Sequence, residues 1–358
     1  MPVNVLGFQT HRDDFAIDFD RAKLQERIAA MRDTEVDDFA FAEKHAIATA
    51  PTSTWSLAKA RNEVRNDELW QAKFIPVAYR PFDDRWAFYS EAIVDRPRRE
   101  LIDHVTGKDN LCLGIGRAGK SVNERTWSLQ TISHAPMDAN IYRRGGVNIF
   151  PLWLYPRESG DLLDTAPREK TANLSPEFAA ALTQAVGTTP SPEDTLAYIY
   201  TILYAPSYRA RYADFLKRDF PRVPLTGNRE LFERLVNIGR ELIALHTMQT
   251  TLPRITGFPV AGSNEVVKVR FAASAGSKHG RVWINDAQYF DGVPQAAWDV
   301  HIGGYRVAEK WLKDRKGRQL GYDDLTHYQS VIAALARTLE LQADIDAAIE
   351  AAGGWPLS

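Results

Sequence analysis

The chain has 358 residues, 44% of them hydrophobic and 25% charged, with a formal net charge of −2. That suffices for one large core or two modest ones in an ordinary globular protein. No run approaches the roughly 18 apolar residues of a membrane span, and the N-terminus lacks the apolar stretch of a secretory leader. The single cysteine, Cys112, excludes an internal disulfide and a thiolate zinc cage. A cytoplasmic, reducing location without a membrane partner is expected.

Charge is unevenly spread. Asp13, Asp14, Asp18, Asp20, Asp33, Glu35, Asp37 and Asp38 make the start acidic, whereas the stretch from Lys73 to Arg157 is rich in arginine. Any footprint for a polyanion must therefore be local.

In chain order, Asp20 to Arg32 reads as an amphipathic helix with Leu24, Ile28 and Met31 on one face. A second helical stretch covers Ser56 to Gln71. Short aromatic and β-branched runs follow at Phe74–Tyr79, Trp86–Tyr89, Asn110–Ile115, Trp127–Ile132 and Val147–Tyr155, and are expected to be strands. Pro156 to Leu174 reads as a long loop. Ser175 and Ser191 each precede a proline and an acidic residue, which marks two helix starts. Ser207 opens another segment that Pro221 ends. Asn228 opens a longer helix whose buried stripe is Leu231, Leu235, Ile238, Leu242 and Leu245. Strand-like text returns at Val266–Phe271 and Arg281–Asn285, around a turn-rich Ala272–Gly280. The last helix carries Leu325, Tyr328, Ile332, Leu335 and Leu339 at helical spacing, stopped by Gly353-Gly354.

Segregated elements of this kind predict an α+β fold. It comprises a β-rich block with mixed or antiparallel strands, a helical block and a long C-terminal helix. The expected divisions are 1–72 helical or linking, 73–156 β-rich, 157–252 loop and helices, and 253–358 a small β insert with the final helix.

Gly114-Ile115-Gly116-Arg117-Ala118-Gly119-Lys120-Ser121 fits the phosphate-loop pattern at every fixed position. A phosphate loop must open a helix. Here Trp127, Leu129 and Thr131 alternate with polar residues instead, which is strand period. The string is therefore read as a glycine-rich β-hairpin with a basic tip, and a nucleotide-binding enzyme is kept as an alternative. Asp83-Asp84 and Asp13-Asp14 are read as structural or solvated pairs. The eight histidines show no metal-ligand spacing on one helix face, and no nucleophile elbow occurs. Methyltransferase and helicase strings are absent, so no catalytic, cofactor or metal residues are expected in this chain. A protein-interaction scaffold using the leucine stripes is a further alternative, although such stripes usually face their own core.

The basic residues Arg85, Arg96, Arg98, Arg99, Arg117, Lys120, Arg125, Arg143 and Arg144 lie near strand ends or turns in this reading. Guanidinium groups on short loops can hold phosphates or pair with guanine O6 and N7. Asp95, Glu100 and Asp103 are available as local partners, so a salt-bridged surface is the competing reading.

Ordered strings along nearly the whole chain carry a resemblance. They include Thr10-His11-Arg12-Asp13-Asp14, Tyr79-Arg80-Pro81-Phe82-Asp83-Asp84-Arg85, Arg96-Pro97-Arg98 and Phe150-Pro151-Leu152-Trp153-Leu154-Tyr155. Further on come Tyr198-Ile199-Tyr200, Tyr208-Arg209-Ala210-Arg211-Tyr212, Phe220-Pro221-Arg222-Val223-Pro224, Ile302-Gly303-Gly304-Tyr305 and Lys310-Trp311-Leu312-Lys313-Asp314-Arg315. With these, the sequence resembles the C-terminal specificity domain of type ISP restriction–modification enzymes and related fused adenine-N6 methyltransferases. The resemblance implies a non-catalytic reader of double-stranded DNA beside an adjoining methyltransferase domain. AdoMet, ATP and Mg²⁺ would belong to other domains of such a polypeptide, and the shared strings are expected to be scaffold.

Overall fold

Local signals start most helices. The computed structural model describes residues 1–47, 55–117, 126–143, 146–156 and 169–357. After strand β1 (Val5–Leu6), helix α1 (Asp13–Ala16) and strand β2 (Ile17–Asp18), Asp20 caps helix α2 (Arg21–Arg32) by accepting from the Ala22 N–H at 2.8 Å. Asp37 caps α3 (Asp38–His45) and Ser56 caps α4 (Leu57–Asn66) in the same way. The expected helix through Gln71 thus stops at Asn66, and a 3₁₀ turn covers Trp70–Lys73. Arg61 of α4 is fully buried, yet its guanidinium donates to the carbonyls of Met31, Asp33 and Val36 and to Asp38. A buried cation is tolerable only when its donors are used in this manner.

Strands β3 (Phe74–Arg80) and β4 (Asp83–Phe88) form an antiparallel sheet in the order β2–β4–β3. With the helices before it, this sheet encloses an N-terminal cluster that includes Phe8, Leu24, Ile28, Phe41, Val77 and Phe88. A short helix, α5 (Arg99–Val105), follows where the sequence suggested only strand ends and turns. Arg98 precedes it with a φ of 57° and Arg99 begins it. Its buried Leu101, Ile102 and Val105 are too few to declare a helix from sequence.

The second sheet is four-stranded, in the order β1–β7–β5–β6, with β5 (Cys112–Ile115), β6 (Gln130–Ser133) and β7 (Asn148–Pro151). Every pairing in it is antiparallel. Strands β8 (Trp153–Leu154) and β9 (Thr171–Ala172) make a small ladder. The latter falls within the segment expected to be loop, whose residues 157–168 lie outside the described residues.

The helical block is α6 (Pro176–Val186), α7 (Pro192–Tyr204), α8 (Pro206–Arg211), α9 (Ala213–Leu216) and α10 (Arg229–His246). Ser175, Ser191 and Asn228 cap α6, α7 and α10 as the sequence indicates. The segment expected from Ser207 starts one residue earlier, at Pro206, and is split at Tyr212. Helices α7 and α10 approach so closely that a Cβ on Gly239 would lie 2.1 Å from the Ala197 carbonyl oxygen. Gly239→Ala is therefore expected to cost about 1–3 kcal/mol through overpacking against backbone. An unchanged urea midpoint would show that the helices can separate freely.

Strands β10 (Arg270–Ala273), β11 (His279–Trp283) and β12 (Tyr289–Pro294) form a three-stranded antiparallel sheet. Its first strand begins at Arg270 rather than Val266, because the Val266 N–H and C=O bond to the turn at Arg318 and Gly317. Helix α11 (Gln295–Trp298), the tight pair β13 (His301–Ile302) and β14 (Tyr305–Arg306), and α12 (Val307–Lys313) lead to α13 (Tyr322–Ala351). That last helix has 30 residues. The outcome is an α+β fold with the long C-terminal helix packed on α10, α11 and α12.

Several of the shared strings hold this scaffold together. Tyr198 and Tyr208 donate through their hydroxyls to the carbonyls of Pro224 and Arg222, both at 2.7 Å. Arg80 and Asp138 form a buried ion pair at 2.7 Å. Asp83 is buried between Arg85 and Arg315, 2.7 and 2.8 Å away.

Candidate nucleic-acid interface

The described part of the glycine-rich string, Gly114 to Arg117, continues strand β5 and its exit. Gly114 and Ile115 lie in β5, opposite Thr131 and Gln130 of β6, so the chain returns as an antiparallel strand. Two of its glycines serve packing. A Cβ on Gly114 would stand 2.6 Å from Met137 Sδ, and one on Gly116 would stand 2.9 Å from Leu129 Cβ and Tyr142 Cδ2. Gly119, Lys120, Ser121 and Arg125 lie outside the described residues, as does Arg144.

Register then fixes where the loops emerge. Ile115 is opposite both Gln130 and Asn148, so the chain leaves β5, enters β6 and enters β7 at one end of the sheet. Arg117 and Arg143 are exposed at that end. Arg117 stacks over Phe220 at 4.6 Å. Arg143 has a φ of 82°, a conformation that L residues seldom adopt outside functional or tightly bound turns. Strand β1 also exits there: Gly7 donates to the Val147 carbonyl, and Gln9 pairs with Arg96 through both backbone groups. The Arg96 side chain is 60% exposed, with Asp95 at 3.2 Å. The β13–β14 turn seals one flank, since Gly303 and Gly304 donate to the carbonyls of Ser128 and Tyr142 at 2.8 and 3.2 Å. A side chain at Gly303 would strike Tyr142, with its Cβ 2.7 Å away.

The other candidates sit differently. Arg99 is exposed but paired with Glu91. Arg98 is half-buried in a left-handed conformation. Arg85 is 11% exposed, pairs with Asp83 and Asp314, and lies over the rings of Phe19 and Tyr79 at 4.0 and 3.9 Å. Its donors are committed inside the protein.

The acidic pairs also resolve. Asp83 belongs to the buried ion network, where burial opposes ionisation but Arg315 and Arg85 together hold its carboxyl below the ordinary range. Asp84 is exposed. Asp13 accepts from Thr10 and from the Tyr79 hydroxyl, the latter at 3.0 Å. Among the described residues no group of three or more His, Cys, Asp or Glu side chains is arranged to hold a metal ion. No described helix is long and apolar enough to cross a membrane.

A family model described as the type ISP C-terminal specificity domain matches residues 1–343. The chain belongs to that family. Solved structures share the fold of this type ISP specificity domain. One is the ATP-dependent type ISP restriction–modification enzyme LlaBIII bound to DNA, with a TM-score of 0.69 at 20% identity over 96% of this chain and 23% of that one. Another is a nuclease-deletion mutant of the type ISP enzyme LlaGI in complex with a DNA substrate mimic, with a TM-score of 0.67, 19% identity, and 96% and 33% coverage. A DrdV–DNA complex gives a TM-score of 0.74 at 17% identity, covering 96% of this chain and 35% of that one. This chain therefore spans about a quarter to a third of the length of those proteins. No curated protein matches.

Proposed function

We propose that this chain reads a double-stranded DNA sequence as the specificity part of a restriction–modification polypeptide, and performs no chemistry itself. The observation that carries the reading is the match to the specificity-domain family over residues 1–343. The named relatives of like fold are complexes with DNA, which supports the same partner. The duplex lies against the loop end of the four-stranded sheet, where Arg96, Arg117 and Arg143 project, with Lys120, Arg125 and Arg144 in the adjoining sequence. Phosphate contacts position such a module, while contacts to base edges specify the site. Arg98 and Arg99 border this surface in sequence, whereas Arg85 is held inside by Asp83 and Asp314. The adjoining partner is an adenine-N6 methyltransferase domain, and AdoMet, ATP and Mg²⁺ act on other domains of a cytoplasmic enzyme.

Arg117→Ala combined with Arg143→Ala tests the surface. Both side chains are exposed, so the melting temperature should hold. Affinity for a randomised duplex pool at low salt should fall, and the slope of log K against log salt should shrink by about 2. Unchanged affinity overturns the assignment of these residues. Absence of duplex binding by the unaltered chain overturns the autonomous reader.

A further inference from the structure

Residues 266–285 contain Lys268, Arg270, Lys278 and Arg281 but no aspartate or glutamate. In a chain of net charge −2 this is a concentrated basic segment, and it folds as the β10–β11 ribbon. Arg270 is opposite Trp283 and Ala273 is opposite Gly280. The tip closes through the Ser274 N–H donating to the His279 carbonyl at 3.0 Å, with Gly276 at a φ of 69°. Residues 273–279 are all exposed, and no atom stands within 4 Å of a Cβ built on Gly276. The turn around Gly276 is therefore open to solvent, whereas its C-terminal side is held to the body by the Gln295 N–H donating to the Lys278 carbonyl at 2.9 Å.

The two faces of the ribbon differ. Val282 and Phe290 point inward, and Phe271 stacks on Trp298 at 5.5 Å. Outward, Trp283 and Tyr289 meet at 4.5 Å, with Arg270 over Trp283 at 4.4 Å and Arg281 over Tyr289 at 4.5 Å. Stacking pre-orders these two guanidiniums while leaving N–H groups free to donate. Arg281 also pairs with Asp291 at 2.9 Å. Lys268, Arg270 and Lys278 form no ion pair with any described residue. Gly280 keeps the ribbon thin, since a Cβ there would strike Ala272 O and Phe271 Cζ at 2.5 Å.

Strand β12 flanks β11 as far as His279, which is opposite Pro294, so only the β10–β11 turn extends beyond the three-stranded sheet. A two-stranded turn fits the major groove, about 12 Å wide, but not the minor groove of about 6 Å. We propose that the β10–β11 ribbon is a second DNA-reading element: its small-residue tip enters the major groove while Lys268, Arg270 and Lys278 hold the flanking phosphates. Serine hydroxyls at Ser274 and Ser277 meet base edges, which they can do as donor or acceptor. The ribbon is coupled to the loop end of the larger sheet through Trp298, over which Arg306 lies at 5.6 Å, and through the β13–β14 turn. This inference rests on the proposed DNA-reading function and adds an element that lies outside the arginine-rich block.

The test uses the full chain with Lys268→Ala, Arg270→Ala and Lys278→Ala combined. These exposed changes should leave the thermal midpoint in place. The salt slope should fall by about 2 to 3, and affinity near 0.1 M salt should drop roughly tenfold per lost phosphate contact. A second measurement places a thiol at the tip by Ser277→Cys, because the chain's only cysteine, Cys112, is buried and its thiol is pushed up to about 12 by burial. An iron–EDTA group attached there should cut a bound duplex. An unchanged salt slope, or no cutting of a duplex that is bound, overturns the ribbon; DNA reading still stands if the Arg117/Arg143 variant weakens. Failure of the unaltered chain to bind duplex DNA overturns both readings.

Discussion

Asp83→Asn is expected to destabilise the chain by about 3–5 kcal/mol, because it removes the buried carboxylate that Arg85 and Arg315 share and leaves them only the more distant Asp314 and Asp324, at 3.3 and 3.7 Å. Asp83 is 1% exposed; Arg315 reaches one of its oxygens at 2.8 Å and Arg85 reaches the other at 2.7 Å. Arg315 also packs over Trp311 at 3.4 Å and over Phe19 at 4.5 Å, and Arg85 over the same Phe19 at 4.0 Å. The cluster joins β4 and the N-terminal residues to the turn after α12. An amide of the same shape keeps the packing but leaves two positive charges facing each other in a poorly solvated place. Burying unpaired charge costs far more than losing an exposed ion pair. Asp84→Asn, next in sequence, should not destabilise the chain, because desolvation by the surrounding chain and the neighbouring Asp83 already push the Asp84 carboxyl up to about 6 and disfavour its charge. Equal urea midpoints for the two variants would refute this account. The same geometry predicts that Arg85→Ala weakens DNA binding only together with a lower melting temperature. An exposed contact such as Arg117 should separate the two effects.

What the sequence made legible was local. Caps at Asp20, Ser56, Ser175, Ser191 and Asn228 sit within three residues of the groups they satisfy, so a linear pattern reports them. The alternation after Ser121 points to a strand, because strand period is written over a few positions. Strand β6 pairs antiparallel with β5, starting at Gln130 rather than Trp127. The partners of the arginines could not be read in the same way. Arg315 meets Asp83 across 232 positions, and Arg80 meets Asp138 across 58. Nine basic residues therefore looked alike in sequence, although Arg85 is enclosed while Arg117 and Arg143 project. The basic ribbon carried a usable signal, namely four cations and no carboxylate over residues 266–285. Strand Tyr289–Pro294 and helix Val307–Lys313 went unforeseen, since each is short and depends on packing against α13.

Acidification should expose another buried group. His246, near the end of α10, is enclosed by Tyr200, Tyr204 and Phe82, with ring centroids 4.8–5.6 Å away. Its nitrogens meet the Tyr200 hydroxyl at 2.7 Å and the Thr338 hydroxyl at 2.9 Å. Burial, aided by the nearby Arg209 cation, lowers its pKa to about 3. An unfolded histidine titrates near 6.5. Between those values the unfolded chain binds the extra proton, so stability is full above about pH 6.5 and declines as pH falls toward 3. From about pH 7 to about pH 4 the loss attributable to this residue is about 3 kcal/mol. Asp138 works in the opposite direction. Burial pushes its carboxyl up to about 6 despite Arg80, so the folded chain takes up that proton first and gains stability as pH falls through this range. The whole-protein curve therefore mixes the two signs, and the difference between His246→Gln and the unaltered chain isolates the histidine. Glutamine keeps a donor and an acceptor but cannot be charged, so the variant should be less stable at neutral pH and lose less on acidification. Identical acid slopes for the two proteins in urea unfolding would mean that His246 takes up its proton without leaving the fold.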